Sequence, residues 1–129
     1  MNRYTVELRI TAESLSPEQI TEDLGLEPSL IRHAGDQRGR SSVFTKALWA
    51  YGGEQEWASL EEGLNSLLRP LSGKELALKR YASTAEVFWW CGHFQSTFDH
   101  DTVMSPALLG KLADFNFPLH LVSYFSDDA

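Results

Sequence analysis

The run Ala85-Glu-Val-Phe-Trp-Trp-Cys-Gly-His-Phe94 constrains this chain more than any other stretch. It is the most aromatic segment, it is too short to span a membrane, and it has no helical period. Its β-branched and aromatic content reads as a strand. Strand geometry sends Val87, Trp89 and Cys91 to one face and Phe88, Trp90 and Phe94 to the other. Both faces are apolar, so the strand belongs inside a sheet, with neighbours on either side. One face must meet the core. The other is covered as well, or is an aromatic surface that binds something. Period alone does not assign the faces, because a one-residue shift exchanges them.

The rest of the chain supplies partners for this strand. Residues 3–11 alternate cleanly, with Tyr4, Val6, Leu8 and Ile10 opposite Thr5, Glu7, Arg9 and Thr11. This is a half-buried strand. Leu15-Ser16-Pro17 opens a short helix over 17–24. Ser16 serves as N-cap, Pro17 stands at the first helical position, and Gly25 stops the helix. Residues 26–42 read as a loop, and 43–51 as a strand broken by Gly52-Gly53. The helical stripe Trp57, Leu60, Leu64, Leu67, Leu68 and Leu71 predicts a helix over 54–69, with Pro70 ending it. A short helix around 73–79 leads to the aromatic strand. Ser105-Pro106 repeats the earlier helix start, with Leu108, Leu109 and Leu112 facing inward and Asn116 as the stop. Residues 118–125 form the last strand, with Leu119, Leu121 and Phe125 opposite His120, Val122 and Tyr124.

This order predicts one domain over 1–129 of class α+β. The expected architecture is a four-stranded, mainly antiparallel sheet with helices packed on one face. That is a ferredoxin-like sandwich with an extra middle helix.

Several residue series, taken in order, resemble a known family. They are Leu24-Gly-Leu-x-Pro28-Ser29, Gly35-Asp36, Leu48-Trp49, Leu60-Glu-Glu-x-Leu64-x-x-Leu67-Leu68-x-Pro70 and Ser105-Pro-x-Leu108. The series resembles the bacterial domain of unknown function family 4279, from about Tyr4 to Tyr124. The resemblance implies a small, bacterial, cytosolic domain. It carries over no activity, cofactor or catalytic residue.

Composition narrows the function classes. The chain has 129 residues, 43% of them apolar, which is enough for a core without covalent staples. The single cysteine, Cys91, and the lack of a charged-then-apolar leader point to a cytoplasmic setting. No apolar run suits a membrane helix, so no membrane partner is expected. A formal net charge of −7 would repel a phosphate backbone, so nucleic acid is not expected either. No cofactor motif is present, and a homodimer is compatible with the sequence.

Candidate sites remain. On the mixed sheet face, Glu7 and Arg9 would lie beside Phe88, Trp90, His120 and Tyr124. Aromatic rings with a few polar groups are what ligand pockets and interface anchors use. Arg32, Arg38 and Arg40 make the loop locally basic, and guanidinium forks suit carboxylates and phosphates. Asp99-His100-Asp101 is the densest group of metal-ligand residue types, although a metal site needs three or four ligands in tight geometry. Cys91, flanked by tryptophan, reads as a packed thiol rather than a nucleophile. Two functions follow. The first is a non-catalytic binding or interaction module, accessory or immunity-like, and this makes the chain more a binder than an enzyme. The alternative is a small metal-dependent hydrolase using Asp99, His100 and Asp101.

Overall fold

Local signals set most of the elements. The computed structural model of the chain describes residues 2–125. Strand β1 (Arg3–Ala12) leads to helix α1 (Pro17–Leu24). The Ser16 side chain accepts a hydrogen bond from the Gln19 amide, and Gly25 closes the helix in the left-handed region at φ +66°. Three short strands follow: β2 (Leu30–Arg32), β3 (Gln37–Arg38) and β4 (Ser42–Val43). Then come β5 (Ala47–Gly52), α2 (Leu60–Leu68), a 3₁₀ turn over Arg69–Leu71 and α3 (Glu75–Tyr81). The aromatic strand is β6 (Glu86–Gln95), followed by α4 (Pro106–Phe115) and β7 (Leu119–Phe125). Ser105 caps α4 by accepting from the Leu108 amide, and Asn116 ends it at φ +62°. No helix among the described residues is long and apolar enough to cross a membrane.

The class is α+β, as expected, but the sheet differs from the expectation. It has five strands in the order β2-β5-β1-β6-β7, not four. The fifth, β2, comes from the stretch read as loop. It pairs Leu30, Ile31 and Arg32 with Ala50, Trp49 and Leu48. The sheet is also mixed: β1 pairs antiparallel with β5 and β6, while β6 and β7 run parallel. The two parallel strands joined by α4 lie side by side. A ferredoxin-like split β-α-β unit would place another strand between them, so that detail does not hold.

The middle helix is shorter than its apolar stripe implies. Ser59 caps it, accepting from the Glu62 amide at 3.0 Å, so residues 54–59 stay outside the helix. Trp57 therefore does not lie on a helix. Its backbone pairs with Tyr4 in both directions, at 2.8 and 2.7 Å. Its ring packs where a Cβ on Gly63 would collide with it, which accounts for a glycine inside α2. In α4, Leu108 is buried while Leu109 faces outward.

All four helices pack on one side of the sheet. A single buried cluster joins Tyr4, Val6, Leu8 and Ile10 of β1 to Trp49, Val87, Trp89 and Cys91. From the other side it takes Ile20 and Leu24, Leu60, Leu64, Leu67 and Leu68, Leu78, and Leu108 and Phe115. The register settles what alternation left open. Leu8 stands opposite Trp89, and Glu7 opposite Trp90. Trp89 is the core tryptophan, at 0% exposure, and Trp90 belongs to the other face.

Candidate functional site

The face without helices is built by register. Across four strands, Arg32, Leu48, Thr11 and Glu86 form one row. In the next row lie Leu30, Ala50, Arg9 and Phe88, and in the next Gly52, Glu7, Trp90 and His120. Phe94 and Tyr124 pair at the far end. Arg9, Phe88, Trp90, His120 and Tyr124, singled out from the sequence, thus share this face. They also touch in pairs. Phe88 stacks on His120 at 4.3 Å, Phe94 stacks on Tyr124 at 5.0 Å, and the Arg9 guanidinium lies 4.4 Å over the Trp90 ring. Glu7 accepts from Arg9 and is itself nearly buried. Gly92 sits between Trp90 and Phe94, and a Cβ there would fall 3.3 Å from each ring.

The arginine loop joins this same face. The hairpin of β3 and β4 carries Phe44 beside the sheet end, where Arg32 and Arg38 lie 4.5 and 5.5 Å over its ring. Together they close a hollow of about 270 Å³ lined by Arg9, Arg32, Arg38, Lys46, Phe44 and Phe88, with Thr11, Thr45 and Leu48. This cover explains why Phe88 and Leu48 are only 8% and 7% exposed on a face that no helix shields. Sequence reasoning missed Phe44 and Lys46. It also included Arg40, which is exposed and does not line the hollow.

Two other concavities exist among the described residues. A groove of about 920 Å³ between α2, α3 and α4 is larger, but its cations Arg69, Lys79 and Lys111 lie among Glu75 and Asp114. A cleft of about 260 Å³ beside Gly52, Gly53 and Trp57 contains Glu27 and Glu54. Of these three, the sheet-face hollow alone has cationic lining with no carboxylate in it.

Against this geometry stands one match. A family model described as "Domain of unknown function (DUF4279)" covers residues 2–126. The chain belongs to the DUF4279 family. No curated protein and no solved structure matches it.

In this DUF4279 chain the remaining candidates do not assemble. Among the described residues no three His, Cys, Asp or Glu side chains come together as a metal-binding group. Asp99, His100 and Asp101 lie on the loop that folds under the opposite, helix-covered face. There His100 packs 5.0 Å from His93, and Thr102 hydrogen-bonds the Tyr4 hydroxyl at 2.6 Å. Cys91 is buried, and burial, with Glu7 adding to it, pushes its thiol up to about 12. A thiol so protonated is a poor nucleophile.

His93 gives this end of the molecule a pH dependence. It is buried, stacked on Tyr4 at 4.4 Å, and its Nε2 lies 3.0 Å from Asn2 Oδ1. Burial, and then His100, hold its pKa below the ordinary 6.5. The unfolded chain therefore binds more protons than the folded one once pH falls below 6.5, so acid removes stability. His33 works in the other direction. Its hydrogen bond to Glu18 raises its pKa, so its contribution is present in acid and fades as pH rises through the raised value. Thermal unfolding at pH 7.5 and 5.5 checks the His93 assignment. The loss of Tm on acidification should be smaller in His93→Gln than in wild type. Equal losses would show that His93 is not the group responsible.

Proposed function

We propose that this chain is a non-catalytic binding module whose ligand lies on the helix-free face of the sheet. One observation carries the reading: β1, β6 and β7 present Arg9, Phe88, Trp90, Phe94, His120 and Tyr124 in contacting rows where no helix packs. Rigid rings on adjacent strands supply contact area at low entropic cost, and Arg9 with Glu7 supplies direction. The buried, protonated Cys91 and the divergence of Asp99, His100 and Asp101 favour binding over turnover. We extend the reading to an accessory or immunity-like role in a bacterial cytoplasm, supported by the single buried thiol.

The test is a thermal-shift screen of the intact chain against small anionic and aromatic compounds, with each hit repeated on two variants. Hits should stabilise wild type and Lys111→Ala, which alters the helix-side groove, but not Trp90→Ala. Light scattering on the same samples would reveal a second copy as the occupant if Trp90→Ala dissociated a dimer.

A further inference from the structure

We propose that the hollow framed by Arg9, Arg32, Arg38 and Lys46 binds an oxyanion group, a carboxylate or a phosphate, carried by the ligand of the helix-free face. The proposal deepens the reading of that face as a binding surface and rests on it.

Charge is the first support. The chain carries a formal net charge of −7, yet Arg9, Arg32, Arg38 and Lys46 line one small hollow with no acidic residue in its lining. Two of these cations are matched from outside it. Arg9 is bonded to Glu7, and Lys46 stands 3.7 Å from Glu86, both of that pair well exposed. Arg32 and Arg38 are left over. Among the described residues no carboxylate lies within ion-pair distance of either. Asp36, the acid between them in sequence, is used instead by His33, accepting from its amide at 2.8 Å.

Geometry is the second support. Arg32 and Arg38 both rest on the Phe44 ring. A guanidinium held over an aromatic face still has N–H donors to offer, and its fork suits carboxylate and phosphate oxygens. The ring contact also holds the fork in place before a ligand arrives, which lowers the entropic cost of binding. The floor is Leu48 and Phe88, both nearly buried. An apolar floor keeps water from screening the cations as fully as it would on open surface. Thr45 adds a hydroxyl to the lining.

Size identifies what fits. A hollow of about 270 Å³ is below the roughly 300–1,000 Å³ that encloses a whole small molecule. It suits one anionic group, with the rest of the ligand lying along Trp90 towards Phe94 and Tyr124. A long polyanion such as nucleic acid would meet the negative field of the whole chain beyond the hollow.

The experiment is a ¹H–¹⁵N NMR titration of the full chain, including arginine Nε signals. Inorganic phosphate is one probe and succinate the other, at ionic strength matched with sodium chloride. Saturable shifts are expected at Arg9, Arg32, Arg38, Phe44 and Lys46 for at least one probe, and the tighter of the two identifies the oxyanion. Arg32→Gln with Arg38→Gln should weaken that affinity at least about tenfold, with amide shifts elsewhere unchanged. Lys111→Ala, in the groove between α2, α3 and α4, should leave it within about twofold. Shifts that do not saturate for either probe, or a double variant that binds like wild type, would overturn the anion site and leave the face reading intact. Saturation in the hollow, alongside screening hits indifferent to Trp90→Ala, would uphold the anion site and end the reading of the aromatic rows beyond the hollow as ligand contacts.

Discussion

Trp89→Ala is expected to lower the unfolding free energy by about 3–5 kcal/mol, while Trp90→Ala next to it costs only about 1 kcal/mol. Trp89 has 0% exposure and packs edge-on against Phe115 at 5.4 Å, with Phe117 at 6.0 Å. Its removal leaves a cavity under α4 that the surrounding helices can fill only partly. Trp90 is half-buried, and its chief neighbour is the Arg9 guanidinium at 4.4 Å. Its removal deletes a cation–π contact at the surface and opens no cavity in the core. For a domain of this length each kcal/mol moves Tm by roughly 3–5 °C. Trp89→Ala should therefore melt more than about 10 °C below wild type, or fail to fold at all where total stability is only about 5 kcal/mol. A larger loss for Trp90→Ala than for Trp89→Ala would mean the faces of β6 are assigned the wrong way round.

Gly52→Ala is expected to cost about 2–4 kcal/mol in a denaturant titration. Gly52 ends β5 at φ +91°, a conformation that side-chain-bearing residues rarely adopt. A Cβ there would also lie 2.9 Å from the Val6 carbonyl oxygen and 2.9 Å from Leu67 Cδ1. The carbonyl belongs to the sheet's central strand and cannot retreat without breaking its pairing. Gly110→Ala is the control, because nothing lies within 4 Å of a Cβ at that position inside α4. It should gain roughly 0.5–1 kcal/mol through helix propensity. A Gly52→Ala variant as benign as Gly110→Ala would contradict the close approach of β5, β1 and α2.

What the sequence revealed and what it hid divide along physical lines. Signals carried within a few residues were readable. The alternation of Tyr4, Val6, Leu8 and Ile10 placed β1 and its buried face. The Ser16-Pro17 and Ser105-Pro106 starts, with Gly25 and Asn116 as stops, bounded α1 and α4 to the residue. The start of α2 was also legible, since Ser59 and Glu62 are spaced as a capping box, but the apolar stripe running back to Trp57 masked it. Features created by pairing at a distance were not readable. Strand β2 is three residues long and exists because β5 offers an edge to it. The parallel pairing of β7 depends on how α4 returns the chain, which no local pattern records. The same distinction applies to the site. Arg9, Phe88, Trp90, His120 and Tyr124 share a face by period two. That Arg32 and Arg38 join them depends on β2 placing Arg32 in the row of Leu48 and Thr11, and on Phe44 receiving both guanidinium groups.

The most direct test of the helix-free face is an amide chemical-shift map of the wild-type chain with the most stabilising compound from the thermal-shift screen. Binding to this face predicts the largest shifts at residues 5–11, 30–32, 44–48, 88–94 and 120–124. Shifts concentrated instead at 65–79 and 111–115, around the groove between α2, α3 and α4, would contradict it.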